Sequence, residues 1–257
     1  MSPRLIVRVA VAELPLLPGQ LPELICRVGD LERPFVLDTG AVFTTLTESL
    51  AAEVGVSSIQ AAGEGMDGMG RPFPLSVGVL SGFSLGGVEL GPQPVFVVAD
   101  GVLALRDAFG GSDRPPKAVI GLDVLRRFRV TFDPSRQSVV FESARGLSTE
   151  GSMPCLYCRG QLVIPVQIDG HPLWFTLDTG ASHSSLNDVG LGALPGGRQR
   201  AREAMRRVYT PGGFGRLVRQ LRQVSCRVGD GLFALRDVPV VVRAVPSPFP
   251  VHGVLGV

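Results

Sequence analysis

The 257-residue sequence has little excess charge, no long apolar run and only three histidines. A net charge of +2 gives no reason to expect nucleic acid or an anionic membrane as a partner. No apolar stretch approaches the ~20 residues of a spanning helix, so membrane insertion is not expected. No histidine lies beside a serine or cysteine in a nucleophile motif. Zinc-helix motifs and phosphate loops are absent, and we therefore expect neither a metal nor a cofactor.

Cysteine is scarce, with four residues in the chain. Cys155 and Cys158 are spaced as a zinc-chelating pair, but no histidine follows at the distance of a zinc finger. The plainer alternatives are a local disulfide or two thiols in a linker. Cys26 and Cys226 lie in strand-like segments, and we expect both to be small core residues.

The beginning of the chain is a poor signal peptide, because Arg8 interrupts its apolar run. Residues 5–12 predict a first strand instead. The compartment stays open: cytoplasmic if Met1 is the native start, extracytoplasmic if an export signal was removed.

Turn-forming residues are frequent, with 33 glycines and 21 prolines, and sustained helical periodicity is rare. Hydrophobic residues make up 45% of the chain and charged residues 19%, which excludes a disordered chain. This pattern predicts an all-β architecture of short strands joined by turns, with a few short helices.

One sequence motif occurs twice, as Leu37-Asp38-Thr39-Gly40-Ala41 and as Leu177-Asp178-Thr179-Gly180-Ala181. In both copies an apolar strand-like run delivers an aspartate to a tight turn that glycine permits. A shift of 140 residues also relates Phe35 to Phe175 and Leu46 to Leu186. One supersecondary unit is therefore used twice, and the two carboxylates are predicted to face each other.

These motifs resemble the aspartic proteases of the pepsin and retropepsin type, which carry Asp-Thr-Gly in each lobe. Because alanine follows each glycine, the motifs are more similar to those of the retroviral branch than to those of the pepsin branch. The resemblance implies two retropepsin-like β lobes paired within one chain, with Asp38 and Asp178 as the catalytic dyad. It also implies that the hydroxyls of Thr39 and Thr179 reach across to the other lobe and lock the two loops together.

The same resemblance places a flap, a hairpin that folds over the substrate, at two glycine-rich stretches. The first, residues 63–70, is too rich in glycine to predict a packed element, and the second is residues 209–216. The flap or substrate-contacting candidates are Met66, Met69, Gly70, Tyr209, Phe214 and Gly215.

The family has a second signature, which consists of two apolar residues and a glycine. The resemblance places it beside each aspartate loop, and the sequence matches it at Gly121 and Gly256. After Gly121 the sequence predicts a helix over 122–128 and a hairpin over 130–141. Because the sequence ends at Val257, we expect the second lobe to lack counterparts of these elements. The predicted divisions are an N-terminal lobe (1–145), a linker (146–160) and a C-terminal lobe (161–257).

Arginines are concentrated between Gly196 and Arg207. A nucleic-acid patch is one interpretation, but without aromatic interleaving a solvated loop or helix face is favoured.

Two carboxylates that share one proton supply both the base and the acid for peptide hydrolysis. The sequence therefore predicts an aspartic endopeptidase with a polypeptide substrate. The alternatives are a scaffold that binds an extended peptide without cutting it and a purely structural role in assembly.

Overall fold

The protein folds into two lobes of similar topology, each built around a long mixed β-sheet. The computed structural model describes residues 10–18, 21–66, 72–103, 116–133, 135–143, 152–210, 213–241 and 251–256. Within these ranges strands dominate and every helix is short, which confirms the all-β prediction. No helix in the described part of the chain is long and apolar enough to cross a membrane.

The first lobe contains the strands and helices of the first 143 residues. They are β1 Ala10–Pro15, β2 Glu23–Val28, β3 Leu31–Leu37, β4 Thr45–Thr47, α1 Glu48–Glu53, β5 Ser57–Met66, β6 Pro72–Leu80, β7 Phe83–Leu85, β8 Val88–Glu89, β9 Gln93–Val98, β10 Ala118–Ile120, α2 Leu122–Leu125, β11 Phe128–Asp133 and β12 Ser138–Ser143. Its main sheet has the order β5-β6-β9-β4-β10-β3-β2-β7-β8, and β1, β12 and β11 form a separate small sheet.

The second lobe repeats the central part of this order. Its elements are β13 Leu156–Cys158, β14 Gln161–Ile168, β15 His171–Leu177, β16 Ser185–Asn187, α3 Asp188–Ala193, α4 Gly197–Arg200, β17 Arg202–Thr210, β18 Gly213–Val228, β19 Gly231–Val241 and β20 Gly253–Leu255. They form one sheet in the order β13-β14-β15-β20-β16-β19-β18-β17. The described residues of this lobe end at Gly256 and contain no counterpart of α2, β11 and β12.

The strand that carries each aspartate is held in the middle of its sheet. β3 pairs with β2 on one side and in parallel with β10 on the other, and β10 pairs antiparallel with β4. β15 has the same arrangement with β14, β20 and β16. A central strand is covered on both faces, which explains why Phe35, Val36 and Leu37 are consecutive apolar residues and are all buried.

Side chains cap the first helix of each lobe. The hydroxyl of Thr47 accepts a hydrogen bond from the Leu50 amide (3.4 Å), and the side-chain oxygen of Asn187 accepts one from the Gly190 amide (2.8 Å). Both residues begin a helix because their side chains satisfy an amide that has no partner within the helix.

Each lobe has its own hydrophobic core. Phe35, Phe83 and Phe141 lie in the first core, and Phe175 lies in the second. Cys26 and Cys226 are buried in these cores, which confirms the prediction for both residues. All four cysteines are free thiols, so Cys155 and Cys158 do not form the local disulfide that was one of the alternatives.

Several predicted boundaries were wrong. The first strand was predicted to end at residue 12, whereas β1 continues to Pro15; the predicted start of this strand lies in residues 1–9, outside the described part. The helix after Gly121 ends at Leu125, because the chain turns into β11 at Phe128. β6 and β7 are separated at Gly82, whose positive φ (+67°) allows a tight turn.

β13 lies inside the segment that the sequence predicts as the linker, where Leu156 to Cys158 pair with β14. The division of the chain at 146–160 stays a prediction. One contact between the lobes lies next to this segment: Leu162, at the start of β14, packs against the core of the first lobe.

Candidate active site

Each aspartate lies in the turn that follows its strand and accepts hydrogen bonds from the amides of that turn. One carboxylate oxygen of Asp38 accepts from the amides of Gly40 (2.7 Å) and Ala41 (3.0 Å). The equivalent oxygen of Asp178, Oδ1, accepts a hydrogen bond from the amide of Gly180 (2.9 Å). These bonds fix the direction of both carboxyl groups, because the turn backbone is itself held by the central strand.

The two turns bring the carboxyl groups of Asp38 and Asp178 close enough to interact. Each carboxyl group also lies against the glycine of the opposite turn. A Cβ atom added to Gly40 would lie 2.5 Å from the carboxyl carbon of Asp178, and one added to Gly180 would clash equally with Asp38. Glycine is therefore required at both positions for the two carboxyl groups to meet.

Thr39 and Thr179 link the two turns by four reciprocal hydrogen bonds. The Thr39 hydroxyl accepts from the Thr179 amide (3.0 Å) and donates to the Leu177 carbonyl (2.8 Å). The Thr179 hydroxyl accepts from the Thr39 amide (3.1 Å) and donates to the Leu37 carbonyl (2.6 Å). Both side chains thus make the contacts across the lobes that the sequence predicts for them.

Gly121 and Gly256 lie directly beside the two aspartate turns, as predicted. A Cβ atom at Gly121 would lie 2.5 Å from the carbonyl carbon of Phe43, and one at Gly256 would lie 2.8 Å from the carbonyl carbon of His183. The backbone of the second signature therefore packs against the backbone of each turn with no room for a side chain.

A residue with a hydroxyl group, six positions after each aspartate, binds the glycine of the second signature. This role was not predicted from the sequence. The amide of Gly121 donates to the Thr44 hydroxyl (3.2 Å), and the amide of Gly256 donates to the Ser184 hydroxyl (3.2 Å). The equal spacing from Asp38 and Asp178 was the signal that could have found the pair.

Asp123 supports the first turn from behind and was also missed. One of its carboxylate oxygens accepts from the amide (2.8 Å) and the hydroxyl (2.9 Å) of Thr44. Its other oxygen is buried without a hydrogen-bond partner among the described residues. No spacing in the sequence connects Asp123 with Thr44, because the contact depends on how α2 packs below the turn.

The two halves of the site differ just after the aspartate turns. The first half has Val42 and Phe43, and the ring of Phe43 packs on Phe96 with centroids 4.7 Å apart. The second half has Ser182 and His183, whose hydroxyl and ring nitrogen Nδ1 are 2.9 Å apart. The site is therefore symmetric in its dyad and asymmetric in the residues that follow.

Both predicted flap regions belong to antiparallel hairpins. β5 continues through Gly63 and Gly65 to Met66, so the expectation that residues 63–70 form no packed element was wrong for this part. The cause is regular pairing with β6, in which Gly65 lies opposite Phe73. Met69 and Gly70 lie outside the described residues.

In the second hairpin β17 and β18 pair so that Tyr209 lies opposite Phe214 and Val208 opposite Gly215. The arginine-rich segment that we expected to be a loop or helix face is helical only in α4, and from Arg202 onward it is strand β17. Pairing with β18 overrides the local sequence preference there. The roles of all six flap candidates stay predictions.

Burial raises the pKa of both dyad carboxyls. The pKa of Asp38 lies above its ordinary value because burial disfavours the charged form, an effect that the neighbouring Asp178 and hydrogen bonds from the turn amides partly offset. The pKa of Asp178 lies well above its ordinary value, first through burial and then through the nearby charge of Asp38. The two groups titrate as one pair that retains a proton more tightly than an exposed carboxyl.

These shifts predict how the dyad affects stability. A carboxyl whose pKa is raised on folding contributes stability that is fully present below its unfolded pKa and is lost as the pH rises through the folded pKa. Asp178→Asn removes the cost of burying that charge. We therefore expect its melting temperature, relative to the wild type, to be higher by about 2–4 °C or more at alkaline than at acidic pH.

Thermal melts of both proteins at the two pH values check this prediction. Asp30→Asn is a suitable control, because Asp30 is fully exposed in the turn between β2 and β3. A difference between wild type and Asp178→Asn that is the same at both pH values would contradict the prediction.

Comparisons with known proteins identify the family. The sequence model described as aspartyl protease matches residues 24–124 and 164–257, so each lobe matches it once. The chain belongs to the aspartyl protease family, and the motifs Asp38-Thr39-Gly40 and Asp178-Thr179-Gly180 lie within the two matched regions. A search of curated proteins finds no match.

Two solved structures are similar to the chain. One is a retropepsin-like aspartic protease from Rickettsia conorii, with 15% identity and a TM-score of 0.36, covering 51% of this chain and 89% of that one. The other is the aspartic proteinase from Irpex lacteus, with 12% identity and a TM-score of 0.49, covering 95% of this chain and 90% of that one.

Proposed function

We propose that the protein is an endopeptidase that hydrolyses peptide bonds with a water molecule activated between Asp38 and Asp178. The observation that carries the proposal is the meeting of two half-buried carboxyl groups that come from equivalent turns of the two lobes, each against the glycine of the opposite turn. Membership of the aspartyl protease family supports the same chemistry.

The geometry supports a simple sequence of proton transfers. The ionised carboxylate of the pair takes a proton from water while the protonated carboxyl donates its proton to the carbonyl oxygen of the substrate. The water oxygen bonds to the carbonyl carbon, which gives a tetrahedral intermediate. The C–N bond then breaks as one carboxyl gives its proton to the amine nitrogen and the other carboxylate takes a proton from a hydroxyl of the intermediate. The pair thereby returns to its singly protonated state.

The substrate that fits this chemistry is an extended polypeptide. Among the described residues no group of three or more histidine, cysteine, aspartate and glutamate side chains is arranged to hold a metal ion. The chemistry proposed for the dyad uses only its two carboxyl groups, the water and the substrate. The rigid link through Thr39 and Thr179 holds the carboxyl groups in place during the reaction.

A digest of a peptide library tests the proposal. Purified protein is incubated with the library over a range of pH, and new peptide termini are identified by mass spectrometry. We expect cleavage at internal bonds that disappears in the Asp178→Asn variant. Binding of library peptides without any new termini would instead support the non-cleaving alternative, and termini that persist in the variant would contradict the proposed site.

The alanine after each motif predicts the pH range of the activity. A hydroxyl at this position could donate a hydrogen bond to the ionised aspartate and lower its pKa, whereas Ala41 and Ala181 cannot. Since burial raises the pKa of both carboxyls, the pair keeps its proton to higher pH. We expect a bell-shaped profile of kcat/KM with a mildly acidic optimum that moves toward acid in Ala181→Ser.

The position of Ala181 makes it the better site for this test. Ala41 packs against the buried apolar cluster of Leu21, Val36 and Val119, where a new hydroxyl would also disturb packing. Profiles of kcat/KM against pH for the wild type, Ala181→Ser and Ala41→Ser check the argument. An unchanged or alkaline-shifted profile for Ala181→Ser would contradict it.

A further inference from the structure

One peptide unit joins the Asp38 turn to the second signature of the first lobe. The carbonyl of Ile120 accepts a hydrogen bond from the amide of Asp38 (3.0 Å). The amide of Gly121, which belongs to the same peptide unit, donates to the Thr44 hydroxyl (3.2 Å). Because a peptide unit is planar and rigid, the backbone of Asp38 is connected through it with a side chain six positions later.

Asp123 closes this series of hydrogen bonds at its far end. The Thr44 hydroxyl donates to Oδ1 of Asp123 (2.9 Å), and the Thr44 amide donates to the same oxygen (2.8 Å). The direction of each bond is fixed, because an amide only donates and the Thr44 oxygen already accepts from Gly121. We call this series the Asp38 relay; its members are Asp38, Ile120, Gly121, Thr44 and Asp123.

The backbone that follows Gly121 is bonded to the rest of the turn as well. The amide of Leu122 donates to the carbonyl of Ala41 (2.9 Å), and the amide of Asp123 donates to the carbonyl of Val42 (3.2 Å). Asp123 therefore contacts the loop with both its backbone and its side chain. These contacts make the position of the Asp38 backbone depend on how α2 is held against the turn.

Stability alone does not account for a carboxyl group at position 123. The side chain of Asp123 is only 7% exposed, and its Oδ2 has no hydrogen-bond partner among the described residues. A buried polar atom without a partner costs free energy. A hydrogen bond to a carboxylate is, however, stronger than one to a neutral acceptor, and hydrogen bonds in series strengthen one another. The carboxyl group thus strengthens the relay at the expense of stability.

The second lobe contains only the first part of this arrangement. The amide of Asp178 donates to the Leu255 carbonyl (3.0 Å), and the amide of Gly256 donates to the Ser184 hydroxyl (3.2 Å). Among the described residues no carboxyl group accepts a hydrogen bond from the Ser184 hydroxyl. Within the described part of the chain, a carboxyl group therefore completes the series beside Asp38 alone.

We propose that Asp123 is a positioning residue of the dyad, which holds the backbone of Asp38 in place through the Asp38 relay. The inference rests on the proposed function, since it gives Asp123 a part in the same reaction. A reacting group displaced by about 1 Å can lower the rate about 10²-fold. Loosening the relay should therefore lower kcat and leave KM nearly unchanged.

Steady-state cleavage of one library peptide separates kcat from KM in variants of the relay. Thr44→Val removes the hydroxyl that joins Gly121 to Asp123, and it should lower kcat about tenfold with KM within about twofold of the wild type. Asp123→Asn keeps the shape and an acceptor oxygen but loses the charge, and it should lower kcat about threefold. Thr44→Ser keeps the hydroxyl and should restore most of the loss, because serine makes the equivalent contact at position 184.

Thr45→Val is the matched control. Thr45 is the next residue in the chain, and its hydroxyl donates to the carbonyl of Phe43 (3.0 Å), outside the relay. The substitution removes the same hydroxyl group as Thr44→Val and should leave both kcat and KM close to the wild-type values.

Amide hydrogen exchange followed by NMR examines the relay without any cleavage. The reference is the amide of Leu37, the neighbour of Asp38, which donates to the Pro22 carbonyl (2.8 Å) outside the relay. The ratio of the two exchange rates cancels a change in the stability of the whole lobe. We expect the Asp38 amide to exchange about fivefold faster relative to Leu37 in Thr44→Val and in Asp123→Asn, with no change of the ratio in Thr45→Val.

Three results would overturn the inference. The first is an exchange ratio that stays at the wild-type value in both relay variants, and the second is a raised KM with unchanged kcat. The third is a loss of kcat in Thr45→Val equal to that in Thr44→Val. If Thr44→Val does not fold, Asp123→Asn decides the question by the same two measurements. Failure of the wild type to cut any peptide would refute the proposed function, whereas the exchange ratio would still show whether Asp123 holds Asp38.

Discussion

Replacing either dyad carboxyl by an amide, in Asp38→Asn or Asp178→Asn, should lower kcat/KM by about 10²–10⁴-fold while the fold is retained. An amide of the same shape preserves packing but can neither accept a proton from water nor share one with its partner. Each carboxyl also accepts hydrogen bonds from its turn amides, which an amide oxygen can still accept. The loss should therefore appear in catalysis and not in the folded structure.

Steady-state cleavage of one library peptide measures this effect, and circular dichroism reports the fold. Asp30→Asn serves as the control, since it makes the same chemical change at an exposed turn. Near wild-type turnover in either dyad variant would contradict the assignment, as would an equal loss in Asp30→Asn.

The second large effect concerns the link between the lobes. In Thr39→Val the two hydrogen bonds of the hydroxyl are lost, which leaves the amide of Thr179 and the carbonyl of Leu177 buried without these partners. A buried polar group left without a partner costs about 1–3 kcal/mol, so the variant should be destabilised by about 2–5 kcal/mol. Thr179→Val should have an equal effect, because its contacts are the mirror of those of Thr39.

Thermal melts and peptide cleavage check the effect of the valine variants. Thr39→Ser and Thr179→Ser are the matched controls, since they keep the hydroxyl and lose only a methyl group. We expect the valine variants to lose both stability and activity and the serine variants to retain most of both. Melting temperatures of Thr39→Val and Thr39→Ser that do not differ would show that these hydrogen bonds do not hold the lobes together.

The centre of the site could be predicted from the sequence because it is repeated. The equal spacing of Asp38 and Asp178 within matching frames predicts two equivalent turns, and the structure brings those turns together. The helix caps Thr47 and Asn187 could also be predicted, since a cap depends only on residues three positions away.

Features that depend on distant partners could not be predicted. Asp123 contacts Thr44 across 79 residues, and nothing in either local sequence encodes that contact. The glycines of β5 favour a loop by local preference, yet pairing with β6 makes them part of a strand.

The central claim is that the carboxyl groups of the two lobes act as one catalytic unit. Comparing kcat/KM of Asp38→Asn/Asp178→Asn with that of each single variant tests it most directly. Residues that act as a unit give losses that do not multiply, so the account predicts that the double variant is no slower than the single variants. A double variant slowed by the product of the two single losses would show two independent contributions and would contradict the account.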